Sequence, residues 1–152
     1  MAVVDDKDWL RLKRFKWQAT KGNSGGWYAK RCIWVDGKPR DLRMHRELMD
    51  APANMVVDHI NGDGLDNRRA NLRICTRSQN QFNRRIQKVN KSGYKGVHWH
   101  KASNAWMAKL KANGVEVFHK AFKSKVAAAR AYDEAAIKHH GEFARLNFRR
   151  AA

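Results

Sequence analysis

The chain lacks any apolar run of the roughly 18 residues or more that a bilayer span requires. Its first residues, Met1-Ala2-Val3-Val4-Asp5-Asp6, are acidic and polar where a secretory leader would be basic and then apolar, so a cytoplasmic protein is expected. Cysteine is scarce. Cys32 and Cys75 are too few and too far apart for a disulfide framework or a zinc quartet, and they read as reduced, buried thiols. Acidic residues are scarce as well: 14 Asp+Glu stand against 32 Lys+Arg, for a net charge of +18. Internal repeats and low-complexity segments are absent, which excludes a solenoid or a linker-like chain.

What remains is enough to fold. A length of 152 residues allows one ordinary domain or two small ones, and 43% hydrophobic with 10% aromatic content excludes a disordered basic tail. The positive charge repels itself in a compact chain, which implies a polyanionic partner. It is evenly spread: residues 1–90 carry 19 Lys+Arg and 10 Asp+Glu, and residues 91–152 carry 13 and 4, so each part has an excess of nine. That excludes a neutral catalytic domain trailing one basic tail. Both parts are built to face phosphates, with salt-sensitive binding by counterion release.

Residues 8–44 alternate aromatic and polar side chains (Trp9, Phe15, Trp17, then Trp27-Tyr28-Ala29 and Ile33-Trp34-Val35) around turns at residues 22–26 and 36–39. This pattern predicts short antiparallel strands, followed by one or two helical turns over Met44 to Met49. Met55-Val56-Val57 enters Asp58-His59 as a short strand. A polar loop with glycines at 62 and 64 follows, Leu72–Cys75 returns, and Thr76 caps a helix through Arg84. The basic stretch to Gly93 reads as a linker. Beyond it come three strand-like runs, Tyr94–His100, Ala105–Ala112 and Val115–Phe122, the last two joined by the hairpin signal Asn113-Gly114. Ser124 then caps an alanine-rich helix that Gly141 stops near His140. The fold class is α+β: N-terminal antiparallel strands, a strand–loop–strand–helix unit, then a three-stranded antiparallel sheet packed on one helix.

The chemistry gathers at Asp58-His59, with Asn71 twelve residues beyond His59 and Asn80 twenty-one beyond it. Phosphodiester hydrolysis needs a base near neutral pH, a cation on the scissile phosphate, and a group to orient the base. His59 is the candidate base, Asn71 the candidate orienting amide, and Asp58 with Asn80 offer oxygen ligands; Asn83, three residues further along the same helix, is an alternative to Asn80. His45 reads as structural. Two oxygen ligands bind magnesium weakly, so DNA phosphates and waters must complete its shell. Strand alternation sends adjacent Asp58 and His59 to opposite faces, so their convergence requires a break in the pleat that the glycine-bearing loop could supply. Arg73, Arg77, Arg84 and Arg85 are candidates for phosphate contacts.

Met44-His45-Arg46, Val57-Asp58-His59-Ile60-Asn61-Gly62-Asp63, Asn67-Arg68-Arg69-Ala70-Asn71-Leu72-Arg73 and Ser78-Gln79-Asn80-Gln81-Phe82-Asn83 together resemble the HNH endonuclease family, in its phage and homing-endonuclease branch of the ββα-metal superfamily. The resemblance covers about residues 44–85. It implies His59 as general base, Asn71 as its positioner, and Asp58 with Asn80 as ligands of Mg2+ or Mn2+, because amide oxygen is a poor zinc ligand. It further implies a homing-type DNA endonuclease leaving 5′-phosphate and 3′-hydroxyl ends on double-stranded DNA, located in the host cytoplasm or nucleoid if phage-encoded.

Ser92 to Phe148 is similar to the Apetala-two/ethylene-response-factor DNA-binding domain in Gly93-Tyr94-Lys95-Gly96-Val97, Trp106, Ala121-Phe122, the run Ala127–Ala136 and Leu146-Asn147-Phe148. That resemblance implies DNA contacts from the strands, at Lys95, His98, His100, Trp106, Lys109 and Lys111, while the alanines and tyrosine of the helix are core. Plant members carry arginines in the first strand. This chain lacks them, so their bidentate guanine contact and their target sequence do not transfer. The expected division is a nuclease domain over 1–87, a linker over 88–93 and a DNA-binding domain over 94–150, with no obligate protein partner. The competing expectations are a non-catalytic DNA-binding regulator with a decayed nuclease unit, and a sheet that binds single-stranded nucleic acid or RNA on its aromatic strands.

Overall fold

The computed structural model describes residues 1–22 and 25–148. Asn23 and Ser24 of the expected turn, and residues 149–150 of the expected second domain, lie outside the described residues. The architecture is mixed α+β, and the chain separates into two compact units, Met1–Asn80 and Gln81–Ala152.

The first unit opens with helix α1 (Asp6–Leu12), then an antiparallel sheet β1 (Gln18–Lys21), β2 (Trp27–Val35) and β3 (Lys38–Arg43). The helix corrects the expected strand over its residues. Trp9 and Leu10 face solvent while Asp8 and Leu12 turn inward, a helical rather than alternating pattern. Helix α2 (Met44–Met49) follows the sheet directly and stops where Asp50 adopts a left-handed conformation. Strands β4 (Val56–His59) and β5 (Leu72–Cys75) form an antiparallel ribbon, with Asp58 opposite Arg73 and His59 opposite Leu72. Helix α3 (Arg77–Phe82) starts in a capping box: Thr76 Oγ1 accepts from the Gln79 amide at 3.1 Å, and Gln79 Oε1 accepts from the Thr76 amide at 2.8 Å. The apolar core is small, comprising Leu12, Ala29, Met44, Leu48, Val57 and Leu72.

The second unit holds the antiparallel sheet β6 (Val97–His100), β7 (Ala105–Ala112) and β8 (Val115–Phe122), with helix α4 (Lys125–His140) across one face. Asn113 and Gly114 both have positive φ, as a tight hairpin turn requires. Ser124 accepts from the Ala127 amide, as expected of the cap. The expected first strand begins later than Tyr94. Residues 90–97 form a tight polar turn, in which Ser92 Oγ lies within hydrogen-bond distance of the carbonyls of Tyr94 and Val97 and Asn90 Nδ2 donates to that of Tyr94. Gly96 allows the Tyr132 ring to approach where a Cβ would collide with it. Val97, Ala108, Leu110 and the alanines 128, 129, 135 and 136 close the core around Tyr132.

Candidate active site

His59 ends β4 and is buried. The ribbon's register is regular through it, so no break in the pleat separates it from Asp58, and the chain turns afterwards, with Gly62 at φ +74°. The two side chains therefore meet different surroundings. Asp58 Oδ2 accepts from Arg73 Nε at 3.0 Å and from Nη2 at 2.8 Å, a cross-strand ion pair in which both residues are largely shielded. The His59 ring lies 4.9 Å from that of His45, edge to face, and 6.0 Å from that of Tyr28. Its Nε2 is 3.4 Å from Asn67 Oδ1.

Tyr28 reaches the ring from β2 because Gly64 has no side chain; a Cβ there would strike the Trp27 carbonyl and the Tyr28 ring. His45 comes from α2, is buried, and leaves its Nδ1 without a hydrogen-bond partner among the described residues. Desolvation dominates its titration and, with the neighbouring His59, Arg43 and Arg46, pushes its pKa down to about 3. His59 is lowered for the same leading reason, against the opposing pull of Asn67, Asp58, Asp63 and Asp66. At neutral pH both rings are uncharged, so His59 is in the state that accepts a proton.

The loop after His59 is held by its own polar side chains. Asn71 Oδ1 accepts from the Asn61 amide at 3.0 Å, and Asn71 Nδ2 donates to Asn61 Oδ1 at 3.1 Å and to the Asp66 carbonyl at 2.8 Å. Its amide thus braces the loop, and the amide recorded at the imidazole is that of Asn67. Asp66 takes a bidentate grip from Arg68, which lowers its pKa to about 2, and also accepts from Asn61. The chain's opening residues hold the other edge. Val3 donates to the Leu65 carbonyl and accepts from the Asn67 amide, both at 2.8 Å, forming a parallel bridge to Asp66. Asp5 accepts from the Arg69 amide, and Asp8 receives Arg69 Nε and Nη2 at 2.8 and 2.9 Å.

Asn80 lies on α3, exposed, and its side chain makes no hydrogen bond among the described residues. Asn83 is buried and belongs to the second unit. No group of three or more His, Cys, Asp or Glu side chains among the described residues forms a metal site by itself. The available donors are a carboxylate and an amide oxygen, which suits a hard cation completed by substrate oxygens.

Of the expected DNA contacts, Arg77, Arg84 and Arg85 are exposed. Arg73 is engaged with Asp58. Lys95 is largely buried, donates to the Phe82 carbonyl and has its pKa pushed down to about 8 by desolvation, so it does not stand on the sheet surface. Trp106 shares the face of Ala108 and Leu110, packs against the core under α4, and meets Trp99 edge to face at 5.2 Å. It is half-buried on the face that α4 covers. The opposite face carries His98, His100, Lys109 and Lys111, all on the uncovered side, with Glu116 pairing both Lys109 and His119.

Sequence reasoning passed over Asn67 because an asparagine in a turn-rich loop is ordinarily a turn former. It passed over Tyr28 because the contact depends on a glycine 36 positions away.

An HNH endonuclease family model (HNH_3) matches residues 50–82, which include β4, the loop, β5 and α3. The chain is 33% identical over 152 residues to the uncharacterized HNH endonuclease L560 of Acanthamoeba polyphaga mimivirus, covering 96% of this chain and 74% of that protein. It is 32% identical over 77 residues to protein 3.8 of Escherichia phage T7, covering 47% of this chain and 64% of the relative, a little under two thirds of its length. No solved structure matches. The chain belongs to the HNH endonuclease family. Membership implies nuclease activity on DNA and the use of a divalent metal ion. No helix among the described residues is long and apolar enough to cross a membrane.

Proposed function

We propose that this protein is a metal-dependent DNA endonuclease of the homing type that hydrolyses phosphodiester bonds to 5′-phosphate and 3′-hydroxyl ends. The observation that carries this reading is the buried His59 ring, held between Tyr28, His45 and Asn67 within the matched segment. His59 takes a proton from water, which attacks the phosphorus in line with the departing 3′ oxygen. Asn71 acts on His59 through the loop it braces. Asp58 and Asn80 would hold Mg2+ or Mn2+; because the unbroken pleat sends the Asp58 and His59 side chains to opposite faces, substrate oxygens and waters would have to join the ion to the base. When bound, the cation neutralises charge on the phosphate and on the leaving oxygen.

Arg73 balances the Asp58 carboxylate before any cation arrives, so it serves the ligand rather than the DNA backbone. Exposed Arg77, Arg84 and Arg85 are left to hold phosphates. The domain reading is a nuclease over 1–87, a linker over 88–93 and an Apetala-two-like DNA-binding module over 94–150. The module's uncovered sheet face lies along double-stranded DNA through His98, His100, Lys109 and Lys111. Tethering two weak binders in one chain raises residence on the duplex.

The test is supercoiled plasmid incubated with the full chain and magnesium, manganese or chelator. Nicked or linear product with metal and none with chelator supports the reading. No product with any divalent ion, at retained DNA binding, would establish the rival reading of a DNA-binding regulator. That rival draws on the Asp58–Arg73 pair, which neutralises the carboxylate without a metal.

A further inference from the structure

The amide facing His59 is itself fixed. Asn67 is 1% exposed, among the most buried polar side chains of the protein. Its Nδ2 donates to the Leu65 carbonyl at 3.1 Å, and this bond settles which end of the amide is which: the end turned to the imidazole is the oxygen. A carbonyl oxygen can only accept. In the neutral ring, the nitrogen opposite it must therefore carry the hydrogen, so Nε2 is protonated and the basic lone pair sits on Nδ1. The contact is 3.4 Å long, a length that catalytic hydrogen bonds show before substrate closes the site.

The support behind Asn67 reaches across the unit. Its backbone amide donates to the Val3 carbonyl, and the Leu65 carbonyl that fixes its side chain accepts from the Val3 amide as well. Arg69, two residues on, is held by Asp5 and Asp8. Asn71 has its acceptor and its donors committed to Asn61 and Asp66, so it shapes the loop as a whole.

We infer that Asn67, held by the segment Val3–Asp8, is the positioning residue that sets the tautomer and ring plane of His59, placing the proton-accepting nitrogen at Nδ1. This rests on the nuclease reading for its purpose, but not for its test. The full chain labelled with 15N and 13C at histidine, free of metal and DNA, is examined by imidazole NMR at pH 7.5. His59 is expected as the Nε2–H tautomer in the parent protein and as a mixture in Asn67→Leu. Assignment comes from the signals that vanish in His59→Gln.

In the same pair, single-turnover plasmid cleavage with magnesium is expected to fall about 10²-fold in Asn67→Leu, the scale of a mispositioned catalytic group, with DNA binding in chelator unchanged. Asn71→Ala, by contrast, lowers the melting temperature together with the rate. A parent His59 in the Nδ1–H form overturns the inference, and so does a tautomer that Asn67→Leu leaves as it was. Should Asn67→Leu fail to fold, the tautomer of the parent protein still decides. Cleavage that persists in His59→Gln would sink the nuclease role of His59 while leaving the tautomer result standing, so the two failures are distinct.

Discussion

The two units bury different things. In the first, Asp8, His45, Asp58, His59, Asp66 and Asn67 are buried beside a comparably small set of apolar residues. The second closes around Val97, Leu110, Tyr132 and small alanines, with fewer buried polar groups (Asn83, Ser92, Asp133 and His140), and carries His98, His100, Lys109 and Lys111 on the uncovered sheet face. Burying polar groups costs free energy unless each finds a partner, so the first unit leans on its hydrogen-bond network, in which His45 Nδ1 is left without a partner among the described residues. The second is stable as a packed sheet and helix whose surface is open to variation. Chemistry needs the former arrangement, and contact with a polyanion needs only the latter.

The largest expected break in this comparison is His59→Ala. Cleavage should fall by about 10³-fold or more, at the upper range of general-base effects, while gel-shift affinity for duplex DNA holds within about twofold. Equal loss of both would make His59 structural and erase the contrast.

Next is the buried carboxylate of the second unit. Asp133 accepts from the amides of Asn147 and Phe148 and from Asn147 Nδ2, and Asn147 in turn bonds both backbone groups of Lys95. Asp133→Ala should cost about 3 kcal/mol, the cost of stranding donors of a charged acceptor, read by thermal or urea unfolding. A change under about 0.5 kcal/mol would show that packing alone holds this unit.

Acid should separate the units more gently. His45, lowered to about 3, and His59, lowered as well, are buried neutral and bind protons once unfolded. The unfolded state then holds more protons below the ordinary histidine pKa of about 6.5, so stability is intact above that value and declines as pH falls. Each such histidine contributes a slope approaching about 1.4 kcal/mol per pH unit in that range. His45→Phe keeps a ring against His59 and should flatten the dependence between pH 6 and pH 4, measured by urea midpoints. His140, also lowered by burial, gives the second unit a weaker version of the same response.

The smallest effect is at the exposed sheet face. Lys111→Ala should reduce the slope of log affinity against log salt by about 0.9, one phosphate contact, without touching the single-turnover rate at saturation.

Much of this was legible in the chain. The turn residues Asn113-Gly114, the caps Thr76 and Ser124, and the apolar run Met55-Val56-Val57 ahead of Asp58-His59 carry local information, and those elements stand where the residues place them. Helix α1 was not legible. Its aromatics at 9, 15 and 17 mimic alternation, and Asp5 ahead of it makes no side-chain cap. The helix leans instead on a pairing of Asp8 with Arg69, 61 positions distant. The same limit applies at the site. The Asp58-His59, Asn71 and Asn80 spacing can be read in one dimension. Which asparagine faces the imidazole depends on a three-dimensional brace from Val3, and whether an arginine meets phosphate or carboxylate depends on strand register, as Arg73 against Asp58 shows. Lys95 and Trp106 show a related limit: charge and aromaticity are visible in a sequence, but the side of a sheet they occupy is not.

The bridge between Val3 and Asp66 has a kinetic consequence. It closes a chain segment of about sixty residues, and the entropy of that closure must be met before the contacts it permits repay it. The ribbon and α3 can form from neighbours alone, whereas the strand pairing that steadies the hydrolytic loop has to wait for distant partners to meet. Amide exchange at Asn67 should therefore be the slowest protection to develop in the first unit during refolding, and on the proposed function cutting would be the last property that a newly made molecule gains.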